Sequence, residues 1–160
     1  MTLWEDIYKL FFGKIEKDAD FFMYNNVPIE EALAIATKRA KFYLLESISK
    51  LTSDCTPDID FNNYDEVLEV FNIDLTNNEK DLLADLMKEK YFEKDMALLK
   101  AFQVKFTTKD LNIASPANER KTFIDMFKEI SSENRVKIKR YASRDRITGK
   151  LKTIKYVDID

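Results

Sequence analysis

Histidine is missing from the 160-residue chain, and cysteine occurs once, at Cys55. The first absence removes the commonest general base and metal ligand; the second excludes an intrachain disulfide. Two glycines and three prolines are too few for a loop-rich or disordered protein. No apolar run approaches the roughly 20 residues that span a bilayer. The opening stretch MTLWEDIYKLFFGK carries acidic residues where a signal peptide would be basic, so synthesis and folding in the cytoplasm are expected.

Hydrophobic residues make up 45% and charged residues 34%. At this length one domain buries roughly two-thirds of its unfolded surface, and two cores are not expected. The net charge of -3 hides a strong asymmetry. From Arg135 to Lys155 nine basic residues stand against Asp145 alone, a local charge of +8, and the other 17 basic and 28 acidic residues leave -11. Such a split is information about partners and says little about fold.

Apolar spacing predicts helices. Thr2 and Glu5 have capping-box spacing, and Leu3, Ile7, Tyr8, Leu10 and Phe11 give a short helix ended or bent near Gly13. KIEKDADFFMYNN has no clean period and reads as a loop or broken helix. Pro28, Glu30 and Glu31 suit a first helical turn, and Ile29, Leu33, Ala36, Ala40, Leu44, Ile48 and Leu51 carry the stripe to about residue 51. NYDEVLEVFNI is expected to add a short helix. Thr76 and Glu79 form a second capping box, ahead of Leu82, Leu83, Leu86, Met87 and Phe92, with weaker periodicity through Met96, Leu99 and Phe102. Ser115 and Pro116 open a last helix through Phe123, Phe127, Ile130 and Ile138 to about Tyr141.

The fold class read from these pieces is mainly α: an antiparallel helical bundle over 1–141, followed over 142–160 by a C-terminal β-hairpin or extended arm. Phe11, Phe12, Phe21, Phe22, Phe92, Phe102, Phe123 and Phe127 read as core, since a base-stacking platform needs exposed aromatics beside a basic groove. In the arm, Thr148-Gly149 supplies a turn, with Gly149 free to take positive φ. Ile154 and Tyr156 then face one way while Leu151, Thr153, Val157 and Ile159 face the other. An isolated two-stranded ribbon is marginal in water, so completion by another chain at an open sheet edge is expected, against the alternative of folding back on its own body. The candidate assembly residues are Arg144, Arg146, Lys150, Leu151, Lys152, Ile154, Lys155, Tyr156 and Val157.

Catalytic and metal motifs are weak. Asp58, Asp60, Asn62, Tyr64, Glu66 and Glu69 match the coordinating positions of a calcium loop, yet Asn63 replaces the turn glycine and Asp65 the apolar anchor, and Pro57 interrupts an entering helix. A solvated acidic loop fits better. Cys55 has no histidine to activate it, and Asp54 beside it opposes thiolate formation. Glu30/Glu31 and Glu66/Glu69 read as solvated carboxylates, and ITGK lacks the rest of a phosphate loop. No catalytic residue, cofactor or metal is expected, and the chain reads as a non-enzyme.

MTLWEDIYKLF, DLTNNEKDLLADLM with the aromatic pair Tyr91-Phe92, and KDLNIASPAN resemble, in that order, segments of small neck or head-tail connector (adaptor) proteins of tailed phages of Gram-positive bacteria. Relatives usually read S-Q-A-N where Pro116 stands here, and often Trp-Leu in place of Tyr91-Phe92. The resemblance is carried mainly by Leu75 to Tyr141. It implies a structural virion protein at the neck, assembled in the host cytoplasm. Its copies would form a ring, commonly a dodecamer, docked on the portal protein and leading to a downstream neck or tail-terminator protein. Genomic DNA would pass without sequence-specific binding, and no membrane is involved. The competing function is a nucleic-acid-binding regulator that grips phosphates with the basic segment, against which the overall acidity and the lack of a helix-turn-helix weigh.

Overall fold

The computed structural model describes residues 1–16, 22, 27–105 and 117–153. Within them lie strands β1 (Thr2–Leu3), β2 (Tyr64–Asp65) and β3 (Val70–Phe71), and helices α1 (Trp4–Ile15), α2 (Ile29–Asp54), α3 (Asn77–Lys105) and α4 (Ala117–Ala142). The protein is mainly helical, with one small antiparallel sheet of order β1-β3-β2.

Helix α3 packs against each of the other helices. Lys50 meets Glu89, and Glu46 meets Lys94, so α2 and α3 run in opposite directions. On the other side Lys137 meets Asp85 and Asn134 meets Glu89, which makes α4 antiparallel to α3 as well. Six successive residues of α3, Leu82 to Met87, are buried, because neighbours cover this helix on several sides. Helix α1 lays Trp4, Ile7, Tyr8, Phe11 and Ile15 into the same core at spacings of three and four. Each fully buried side chain of this size contributes about 1.5–3 kcal/mol, so this layer dominates stability.

The sequence-read boundaries need two corrections. The first capping box does not form: Leu3 is the N-cap of α1 without a side-chain bond, and the Thr2 hydroxyl instead accepts the Leu75 amide at 2.8 Å. Thr2 and Leu3 pair with Phe71 and Val70, so the chain start is strand. Helix α1 passes through Gly13 and ends shortly after it, at Ile15, in keeping with the expected end near Gly13.

The second correction concerns NYDEVLEVFNI, which forms a hairpin and no helix. Asp65 accepts the Val67 and Leu68 amides at 2.8 and 2.9 Å, closing a turn that Glu69 completes at φ 53. Asp is well suited to bonding backbone two residues ahead, and that bond competes with helix formation. Val70 and Phe71 are consequently buried while Val67 and Leu68 stand out at 91% and 67% exposure. The small sheet supplies the strand edges that the sequence did not announce.

Two stripe residues of α2, Ile29 and Leu33, lie in solvent; the buried stripe runs from Ala32 through Ala36, Ala40, Tyr43, Leu44, Ser47 and Ile48 to Leu51. Of the expected core phenylalanines Phe11 is fully buried, and Phe12, Phe22, Phe92, Phe123 and Phe127 are partly so; Phe21 and the Phe102 side chain lie outside the described residues. The Ser115-Pro116 helix start is outside them too, and α4 ends one residue beyond the expected Tyr141.

Core and surface should respond differently to truncation. Leu86→Ala is expected to cost about 2–5 kcal/mol in urea denaturation. Leu33→Ala, 56% exposed in the native protein, should stay within about 0.5 kcal/mol of wild type.

Candidate assembly surface

Helix α4 stops at Ala142, and the chain reverses at once. Arg144 and Leu151 form an antiparallel bridge, and the Lys152 amide donates to the Ser143 carbonyl at 2.9 Å. Inside the turn the Asp145 carboxylate accepts from the Ile147 and Thr148 amides and the Thr148 hydroxyl, at 3.2, 2.7 and 2.8 Å. Those bonds, the Thr148 amide foremost, hold the Asp145 carboxyl below its usual range. Gly149 takes φ 67 and donates its amide to the Asp145 carbonyl. The expected turn at Thr148-Gly149 is therefore present.

Arg146 fixes this turn to the body. Its guanidinium donates from Nε and Nη2 to the two oxygens of Glu79, both at 2.8 Å, and from Nη2 to the Asp74 carbonyl at 2.8 Å. Glu79 is wholly buried. The same carboxylate closes the capping box of α3, accepting the Thr76 amide at 2.7 Å and hydroxyl at 3.0 Å, while its own amide donates back to the Thr76 hydroxyl. Tyr141 donates a further bond at 3.0 Å. Burial pushes the Glu79 carboxyl up, but Arg146, Thr76 and Tyr141 outweigh it and hold the group below the ordinary carboxylate range. Burial and the adjacent Glu79 charge push the Tyr141 phenol well up, so it remains a donor.

A cleft of about 730 Å³ runs beside this anchor, lined by Thr76, Asn78, Lys137, Arg140, Tyr141 and Ile147 among others. Of the nine basic residues from Arg135 to Lys155, three are committed within the chain: Lys137 to Asp85, Arg146 to Glu79, and Lys152 to Asp58 at 2.7 Å. Arg135, Lys139, Arg140, Arg144 and Lys150 are exposed and join no ion pair among the described residues. Arg144 donates to the Gly149 carbonyl at 2.8 Å.

The structure thus divides the sequence-predicted assembly residues. Arg146 and Lys152 fasten the turn; Arg144, Lys150 and Leu151 face solvent, Leu151 at 68% exposure. Ile154, Lys155, Tyr156 and Val157 lie outside the described residues. Glu79 and Tyr141, which hold the turn, were visible in the sequence only as a capping residue and a helix end. Nothing in the local spacing tied them to Arg146, which is 67 positions away from Glu79.

The calcium-like series is used otherwise. Asp58 pairs with Lys152, Asp60 accepts the Asn62 amide at 2.9 Å, and Glu66 and Glu69 share Lys41 at 3.5 and 3.4 Å. The Tyr64 ring packs on Trp4 and Phe71. Among the described residues no three carboxylate or cysteine groups gather where a metal could sit. The Cys55 thiol is raised by burial first and by Asp54 second, and donates to the Leu51 carbonyl.

No protein-family model, curated protein or solved structure matches this chain.

Removing Arg146 leaves a buried, uncompensated carboxylate. Arg146→Ala should lose about 3 kcal/mol, the lower part of the range for a broken buried pair because Arg146 keeps some exposure. Glu79 has a depressed folded pKa, so its stabilisation is complete above the unfolded carboxylate range and disappears as pH falls through the folded value. Thermal melts of wild type should therefore fall more steeply on acidification than those of Glu79→Gln.

Proposed function

We propose that the protein is a structural component of a phage neck, a head-tail connector (adaptor) whose copies form a ring on the portal and extend the DNA channel toward the tail. In this reading the four helices form an antiparallel bundle, and the residues after α4 form an assembly arm that a neighbouring subunit completes. The observation that carries it is the anchored turn. Arg146 on buried Glu79 spends its binding on orientation, holding Arg144, Lys150 and Leu151 outward and setting where the rest of the chain departs.

Two further features support it. The outer edges of β1 and β2 have no strand partner among the described residues, and open edges are where strands from other chains add. The buried polar side chains Glu79, Asp85, Glu89 and Asn134 are occupied by one another and by Lys50, Lys137 and Arg146, which leaves a scaffold and no poised acid-base pair among them. Such a ring needs no catalysis. An acidic bundle surface lining the channel would repel DNA phosphates, with the basic turn directed at acidic protein.

The regulator reading draws on Arg135, Lys139, Arg140, Arg144 and Lys150, all exposed. Filter binding to duplex DNA separates the two readings: the connector should show no salt-sensitive micromolar retention.

The connector reading is tested by particle mass and electron microscopy of the purified chain, alone and with a phage portal protein. Rings are expected. Truncation after Thr153, which spares the Arg146 anchor, should leave a folded chain with the same α-helical circular dichroism and no rings. A chain that stays monomeric in both mixtures, or a truncation that assembles undiminished, would overturn the ring or the arm respectively.

A further inference from the structure

Exposed large apolar residues cluster at two reversals of the chain. One is the β2-β3 tip, where Val67 and Leu68 are 91% and 67% exposed; the other is the C-terminal turn, where Ile147 and Leu151 are 73% and 68% exposed. Neither placement lowers the free energy of a lone chain, since each leaves apolar surface in water.

Their charged surroundings have opposite sign. Beside the tip, a groove of about 760 Å³ opens between the hairpin and α2, with Leu33 and Ala34 on the helix side and Glu66 and Glu69 on the hairpin side. Glu30, Asp65, Glu66 and Glu69 in and around it stand against Lys38 and Lys41, and Lys41 is already held by Glu66 and Glu69. The C-terminal turn has Arg140, Arg144 and Lys150, without an ion pair among the described residues, against Asp145, whose carboxylate is satisfied within the turn. One surface is an acidic-rimmed apolar groove, the other a basic-rimmed apolar knob.

We infer that the two surfaces are halves of one interface: the turn of one copy, with Ile147 and Leu151, seats in the groove beside Val67, Leu68 and Leu33 of the next. The occupant is a second copy of this chain. Because donor and acceptor are different places on the molecule, the contact is heterologous, and repetition gives a closed ring or an open filament. Both halves are held ready. The Trp4 amide bonds the Glu69 carbonyl at 2.9 Å and Lys41 clamps the hairpin over α2, while Arg146 clamps the turn over α3. Little ordering entropy is then left to lose on contact. The inference deepens the ring reading and rests on it.

The test uses sedimentation velocity of the full chain, alone and with the portal. Val67→Lys sets a cation against the basic turn, and Ile147→Glu sets an anion against the acidic rim. Each should abolish the assembled boundary without changing the melting curve, and the double variant should restore it. In a Cys55→Ser background, Leu68→Cys with Ile147→Cys should give a ladder of disulfide-linked multimers on oxidation, and either cysteine alone no more than dimers. If both single variants assemble like wild type and the cysteine pair gives no ladder, this surface is wrong and the ring survives. If wild type never assembles in either mixture, both fall.

Discussion

A carboxylate with no access to water, Glu79, is the constraint around which one end of the molecule is organised. A charge in that position is tolerable only if its lone pairs are filled, and three separate segments fill them: Thr76 before α3, Tyr141 near the end of α4, and Arg146 in the turn beyond. The same side chain thereby starts one helix, meets another and orients the chain after it. A hydrophobic residue at this place would satisfy burial equally well but would leave Arg146 unpaired and the turn without a fixed direction. The geometry, more than net stability, is what the pair provides, which is the role buried ion pairs fill best.

The same logic extends along α3. Asp81 and Asp85 meet Lys14 of α1, Asp85 also meets Lys137 of α4, and Glu89 takes Lys50 of α2 at 2.6 Å and Asn134 of α4 at 2.8 Å. Burial raises the Glu89 carboxyl, and Lys50, Asn134 and Ser131 more than offset it, so the group stays ionised. Each polar contact names a particular partner helix, whereas Leu82, Leu83 and Leu86 would accept many. Register between antiparallel helices is therefore set by the acidic residues at 85 and 89, and cohesion by the leucines among them.

This division explains what could be read from the chain. Periodicity located α1 to α4 because burial of one face demands it, and the Thr76-Glu79 box was legible because both halves lie within four residues. The Thr2-Glu5 box had the same spacing and failed, since Thr2 found a strand partner in Phe71 and an amide at Leu75, contacts about 70 positions away. Residues 64–71 misled for a related reason. Val67, Leu68, Val70 and Phe71 have helical apolar spacing, yet the Asp65 turn puts the first two in water and the last two in the core. Two-residue strands are too short to show alternation. Of the site, the turn at Thr148-Gly149 was legible and its anchor was not, because ion pairing between Arg146 and Glu79 leaves no local signature.

The anchoring also changes what the charge asymmetry means. Read along the chain, +8 over 21 residues describes a polycation suited to a phosphate backbone. Folded, Lys137, Arg146 and Lys152 are spent on Asp85, Glu79 and Asp58, and Arg140, Arg144 and Lys150 stand exposed near Ile147 and Leu151. Nucleic acid offers few apolar contacts to such side chains outside its bases, whereas a protein groove offers both carboxylates and aliphatic walls. Screening confines exposed charges to a reach of about 8 Å at physiological ionic strength. A cation mixed with exposed aliphatics therefore acts at contact distance, where shape must match, and the free energy of the contact comes mainly from the apolar area it covers. Charge then selects which surfaces meet and in what orientation, as Arg146 does within the chain and as we propose for Arg144 and Lys150 between copies.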